Sequence, residues 1–288
     1  MNRNEFLFKK VFVSFAFVLR IFMIYCKKKI AGCNFMDMVL LTALGVGGAT
    51  VIGALIGFLF KNPSHKFNDA LLSFAGGVML AAAIVGLIVP SMEYSNSPWA
   101  IAVTAGGILC GAVCLSLFDK LTPHLHRLTG VDIESHPDKT ARLNKVLLFV
   151  IAIAIHNLPE GIAAGVSFGT ENVGQALTVA GGIALQNIPE GMIIIAPMVA
   201  SGISKKRTLF IALLTGVVEV VGTLLGYFAV SISTMILPFA LAFAGGTMLY
   251  VISDEMIPET HAHGNARLST YSLIIGFIVM LAVDFFLG

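Results

Sequence analysis

The chain has 288 residues, of which 57% are hydrophobic and only 12% charged, and its mean hydropathy is +0.91. Soluble domains carry about 25% charged residues, so a water-soluble globule is excluded and the chain reads as an integral membrane protein. The net charge of +2 conceals a strong segregation along the chain, and nothing in it points to a nucleic-acid partner.

Taken from the N-terminus, residues 1–35 stand apart. The apolar stretch from Val11 to Cys26 follows Arg3, Lys9 and Lys10, like the core of a signal peptide. Arg20 interrupts it, Lys27, Lys28 and Lys29 follow it, and no clear cleavage site is present. It reads as a leader or extension of uncertain status; a start at Met36 and a ninth helix are the other readings. Residues 36–288 read as one transporter domain.

A membrane-spanning helix needs about 20 mostly apolar residues. The segments 38–60, 68–90, 99–118, 146–169, 174–200, 208–230, 235–257 and 270–287 qualify. They are too long and too uniformly apolar for barrel strands. The predicted fold is therefore all-α, an eight-helix transmembrane bundle. Between the third and fourth helices lies a loop at about 119–145 that contains His124, His126 and His136, with Asp132, Glu134 and Asp138.

Lys and Arg give the orientation. Lys61, Lys66, Lys120, Arg127, Lys139, Arg142, Lys145, Lys205, Lys206, Arg207 and Arg267 all follow odd-numbered helices, while the loops after helices 2, 4 and 6 hold none. The positive-inside rule places the odd loops, including 119–145, in the cytoplasm and the C-terminus outside.

The chain also repeats itself. Phe74-Ala75-Gly76-Gly77-Val78-Met79-Leu80 returns as Phe243-Ala244-Gly245-Gly246-Thr247-Met248-Leu249, with Pro90 and Pro258 at similar distances beyond. Two further phrases match: His156-Asn157-Leu158-Pro159-Glu160-Gly161 and Gln186-Asn187-Ile188-Pro189-Glu190-Gly191. Because the repeated helices cross in opposite directions, the pattern predicts inverted repeats, helices 1–3 and 6–8 around helices 4–5, with a midplane site. Proline removes a backbone donor and crowds the carbonyl four residues back, so a kink or break is predicted at Pro159 and at Pro189.

Ionisable side chains at lipid depth mark function. Each phrase sets a nitrogen- or oxygen-bearing side chain four residues before a glutamate, on one helix face. Glu219 adds a third carboxylate halfway along the sixth helix, and no midplane Lys or Arg matches these charges. Buried carboxylates without a counter-charge take up protons or hold a cation. Imidazole, carboxylate and amide oxygen together suit Zn²⁺, Fe²⁺, Mn²⁺ or Cd²⁺ and argue against Cu⁺.

At these residues the chain resembles the ZIP (Zrt/Irt-like) family of divalent-metal transporters, and is most similar to its bacterial GufA-like branch. Ser253-Asp254-Glu255-Met256-Ile257-Pro258-Glu259-Thr260-His261 and Pro123-His124-Leu125-His126 share the likeness. The resemblance implies eight helices, both ends outside, and movement of Zn²⁺ or related ions into the cytoplasm. It implies a first metal position of His156, Glu160, Gln186 and Glu190. It implies a second, bridged position of Asn157, Asn187 and Glu219 that shares Glu160 and Glu190; Asn187 stands where some relatives carry Asp.

Asp284 is a candidate ligand at the outer entrance, and Asp254 and Glu255 are candidates to receive the departing ion. Met79 and Met248 read first as core filling, and Cys110 and Cys114 as small residues in a helix contact. No organic cofactor is implied. The bilayer is the surrounding medium, and a homodimer is compatible with the pattern. The alternatives are an intramembrane metal-dependent protease, a cation-coupled transporter of another solute, and an open channel. Gly165-Val166-Ser167-Phe168-Gly169 matches G-x-S-x-G, yet at a helix end rather than after a strand.

Overall fold

A computed structural model describes residues 34–60, 63–94, 98–121, 155–170, 172–200 and 202–287. Nearly all of the expected leader, residues 1–33, and the histidines of the 119–145 loop lie outside the described residues. By contacts the chain divides into Met1–Leu41 and Thr42–Gly288. The first helix begins in the first unit, and every other described element belongs to the second.

Every regular element among the described residues is helical. In chain order these are α1 (Phe35–Gly57), α2 (His65–Glu93), α3 (Ala100–Leu121), α4 (155–167), α5 (Val173–Ala200), α6 (Lys205–Ile232), α7 (Leu237–His261) and α8 (Ala266–Leu287). Among the described residues seven, all but α4, are long and apolar enough to cross a membrane. Starts follow local chemistry. The Ser64 and Ser204 hydroxyls accept from Phe67 N and Arg207 N, capping α2 and α6. Gly202 and Gly264, at φ 83° and 77°, make the turns before α6 and α8 in a region that favours glycine.

The side chains sort as lipid demands. Large apolar residues face outwards, among them Leu109 and Val113 on α3, Phe210 and Leu225 on α6, and Ile278 and Phe285 on α8. Small residues and the polar groups are inside, and Met79 and Met248 are fully buried. α5 is the most enclosed span, with 67% of its apolar window buried against 17% in α8.

Of the kink or break expected at Pro159 and Pro189, the break does not occur. α5 runs unbroken through Pro189 and Pro197, and α4 through Pro159. In a packed membrane bundle neighbouring helices re-satisfy the freed groups, so no break is needed. The disturbance lies instead in α2 and α7, which widen into π-helix over Ala82–Ile88 and Ile252–Met256. In both, the residue just before the proline, Val89 or Ile257, donates five residues back, to Ile84 or Ile252. The wider turn absorbs the missing proline donor.

Close helix approaches recur in matching pairs. A Cβ on Gly161 would strike the Glu219 carbonyl, and one on Gly191 the Thr50 carbonyl; likewise Gly222 meets Leu158 and Gly53 meets Ile188. α4 therefore lies on α6 as α5 lies on α1. α2 packs chiefly on α8 and α7 on α3, with Gly77 against Leu273 and Gly276 against Phe74 in one pair, and Gly246 against Ile108 and Gly111 against Phe243 in the other. Gly47 and Gly216 meet each other. The end of α1 (Ala54, Phe58) packs beside the start of α6 (Leu209, Ala212), so these two helices run antiparallel.

Candidate metal site

The helix register brings the two phrases together. α4 supplies His156, Asn157 and Glu160, α5 supplies Gln186, Asn187 and Glu190, and α6 supplies Glu219. The α5 and α6 sets sit about halfway along their helices, and the bare helix approaches at Gly161 and Gly191 let the backbones close. Asn157, Glu160, Gln186, Asn187 and Glu219 are all 3% exposed or less; Glu190 is half-buried.

Gln186 Nε2 donates to Glu160 Oε1 at 2.9 Å. Glu160 lies within electrostatic reach of Glu190 and Glu219, and Glu190 within reach of His156. Around Glu219, Thr50 Oγ1 and Asn157 Nδ2 donate to Oε1 at 2.6 and 2.5 Å, and Asn187 Nδ2 donates to Oε2 at 2.6 Å. Motif spacing does not single out Thr50. Its signal is positional: it stands 169 residues from Glu219, the spacing of the Phe74 and Phe243 repeats.

Glu255 is placed more centrally than its sequence position suggests. It lies in the π segment of α7, and its Oε2 is 2.5 Å from His156 Nε2. Asp254 is exposed and Asp284 half-buried in α8; neither is joined to the site by a hydrogen bond or ion pair among the described residues.

Among the described residues no three His, Cys, Asp or Glu side chains are grouped as a ready metal site. The amides and pairings explain this, because His156 is turned to Glu255 and Gln186 contributes an amide. The donor chemistry nonetheless fits a cation. Five buried side-chain polar atoms lack a partner among the described residues, and three are oxygens of Glu160 (Oε2), Gln186 (Oε1) and Asn187 (Oδ1). Unmet buried acceptors are costly, and a positive ion satisfies them at once.

Ser167, by contrast, is fully buried and donates to Ala164 O at 2.7 Å within its own helix, which is no arrangement for a nucleophile. Cys110 and Cys114 are free thiols on α3.

The profile of the family described as "ZIP Zinc transporter" matches residues 119–284. Zinc transporter GufA of Myxococcus xanthus is 42% identical over 254 residues, 86% of this chain and 98% of the relative. Zinc transporter ZIPB of Bordetella bronchiseptica is 37% identical over 83% of this chain and 78% of its own. Zinc transporter ZIP11 of Homo sapiens is 30% identical over 84% and 94%. A match over more than half of the chain, relatives covered over most of their length, and a bundle of long apolar helices with buried carboxylates at its centre together make this a multi-pass membrane protein of the ZIP family.

Proposed function

We propose that the protein carries divalent transition-metal ions, zinc foremost, across the cell membrane into the cytoplasm through a site formed by His156, Glu160, Gln186 and Glu190. The observation that carries this reading is the pair of unmet buried oxygens, Glu160 Oε2 and Gln186 Oε1, beside a histidine and a second carboxylate. The named relatives are zinc transporters. Glu160 and Glu190 supply two negative charges against the ion's two positive ones, and His156 and Gln186 complete a borderline donor set without a thiolate. Glu255, already on His156, is the next carboxylate along α7.

The antiparallel course of α1 and α6 and the matched glycine contacts support an inverted repeat of helices 1–3 and 6–8 around 4–5. In such an architecture one half rocks against the other about a central site. The Lys and Arg distribution supports a cytoplasmic 119–145 loop and an outer C-terminus, with Asp284 towards the outer end of α8 and Asp254 and Glu255 towards the cytoplasmic end of α7.

The test is uptake by purified protein in vesicles, with Zn²⁺, Fe²⁺, Mn²⁺, Cd²⁺ and Cu⁺ in turn. Zn²⁺ uptake should be saturable and lost in Glu160→Ala while the variant still inserts. Near-normal uptake by a well-expressed Glu160→Ala protein would refute the site.

A further inference from the structure

The geometry around Glu219 points away from a second cargo ion. A carboxylate offers about four acceptor positions, two on each oxygen. Oε1 already accepts from Thr50 Oγ1 at 2.6 Å and from Asn157 Nδ2 at 2.5 Å, and Oε2 accepts from Asn187 Nδ2 at 2.6 Å. All four residues are 3% exposed or less. Three neutral donors thus occupy most of its acceptor positions.

The amide of Asn187 is locked in this sense. Its Nδ2 also donates to the Val46 carbonyl at 3.3 Å, and a carbonyl can only accept. Turning the amide to offer Oδ1 would set oxygen against oxygen at both partners. An ion at Oε1 would also have to strip a donor buried among its neighbours. The unmet acceptors lie off the Glu219 carboxylate: they are Glu160 Oε2, Gln186 Oε1 and Asn187 Oδ1.

We propose that Thr50, Asn157 and Asn187 close the Glu219 carboxylate in a hydrogen-bonded clamp, so that the protein binds one ion per chain and Glu219 acts as a fixed point joining α1, α4, α5 and α6 rather than as a ligand. The proposal rests on the reading of the His156 set as the cargo site. Asn187 is its switch. An ionised aspartate there cannot donate, and would face Glu219 as a second carboxylate, a pair that a divalent cation reconciles. Thr50 is a positioning residue: it touches no ion and acts through Glu219.

The full-length protein, purified and dialysed against Zn²⁺, is analysed for bound metal. The unmodified chain holds one ion, which E160Q loses. N187D holds two, and N187D/E219Q returns to one. In vesicle uptake T50V lowers kcat about tenfold with KM within about twofold, as loss of a positioning contact rather than of a ligand should, and T50S restores it. A second ion in the unmodified chain that E219Q removes, a single ion in N187D, or wild-type kcat in T50V would each overturn the clamp. An ion that survives E160Q would overturn the cargo-site reading instead, and the clamp with it.

Discussion

The contact between His156 and Glu255 makes Glu255 a competitor of the ion, and Glu255→Gln tests this. A zinc ion bound to one imidazole nitrogen and one carboxylate oxygen at about 2.0–2.1 Å each, with tetrahedral angles, holds those atoms about 3.3 Å apart. The observed separation is 2.5 Å, which leaves no space for an ion between them. His156 Nε2 and Glu255 Oε2 must therefore part before the nitrogen ligates. The two side chains are 19% and 22% exposed, so their attraction is only partly screened. A hydrogen bond with a charged partner contributes about 1.5–3 kcal/mol. Solvent access and side-chain entropy reduce the net figure to roughly 1–2 kcal/mol. Removing the charge with Glu255→Gln should tighten Zn²⁺ binding by roughly tenfold, since about 1.4 kcal/mol is one factor of ten. Turnover should fall, because the departing ion loses its next carboxylate. Calorimetric Zn²⁺ titration of the purified variant, beside vesicle uptake, reads both. Binding weakened tenfold by Glu255→Gln would show that Glu255 is a ligand, and the competitor argument would fail.

Three further outcomes rest on named contacts and on the charge pattern. Gly161→Ala and Gly191→Ala put a methyl group into the backbone of α6 and α1, so both should lose uptake, whereas Gly181→Ala, with no atom within 4 Å of the added Cβ, should transport normally. Thr50→Val, which keeps shape but removes one donor from buried Glu219, should destabilise the purified protein by about 1–3 kcal/mol. That cost should shrink in a Glu219→Gln background, and a thermal-unfolding cycle that finds equal costs in both backgrounds would deny the coupling. With native cysteines removed, an impermeant thiol reagent applied to intact cells should label Asn172→Cys and spare Lys206→Cys; the opposite pattern would invert the proposed orientation.

Much of the bundle and its centre is legible in the sequence because lipid constrains both. Apolar runs of fixed length mark the spans, and a Glu in such a run needs a reason. That logic picks out His156, Glu160, Gln186, Glu190 and Glu219 from two phrases and one isolated residue. It fails where the outcome depends on how helices meet. Thr50 looks like any small polar residue in a membrane helix, and only the close approach of α1 and α6 makes it a donor to Glu219. Glu255 reads as part of the end of α7, and only the π-helical turn ahead of Pro258 carries it to His156. The prolines of α4 and α5 suggest breaks that the packing makes unnecessary.

The repeat also shows where the chemistry departs from the scaffold. Asn157 matches Asn187, and Glu160 matches Glu190, but His156 stands against Gln186 and Glu219 against Thr50. Gln186 donates to Glu160 across the site, while His156 turns to Glu255 instead. The π segment of α7 carries Asp254 and Glu255, whereas that of α2 holds Ile84, Val85, Gly86 and Leu87. In the proposed orientation, the α7 segment lies towards the cytoplasm and the α2 segment towards the outside. A cation leaving the centre thus meets carboxylates on the cytoplasmic side and apolar groups at the matching outer turn. Under that orientation these few unmatched side chains make the cytoplasmic mouth the acidic one, while the direction of net flow is set by the ion's gradient.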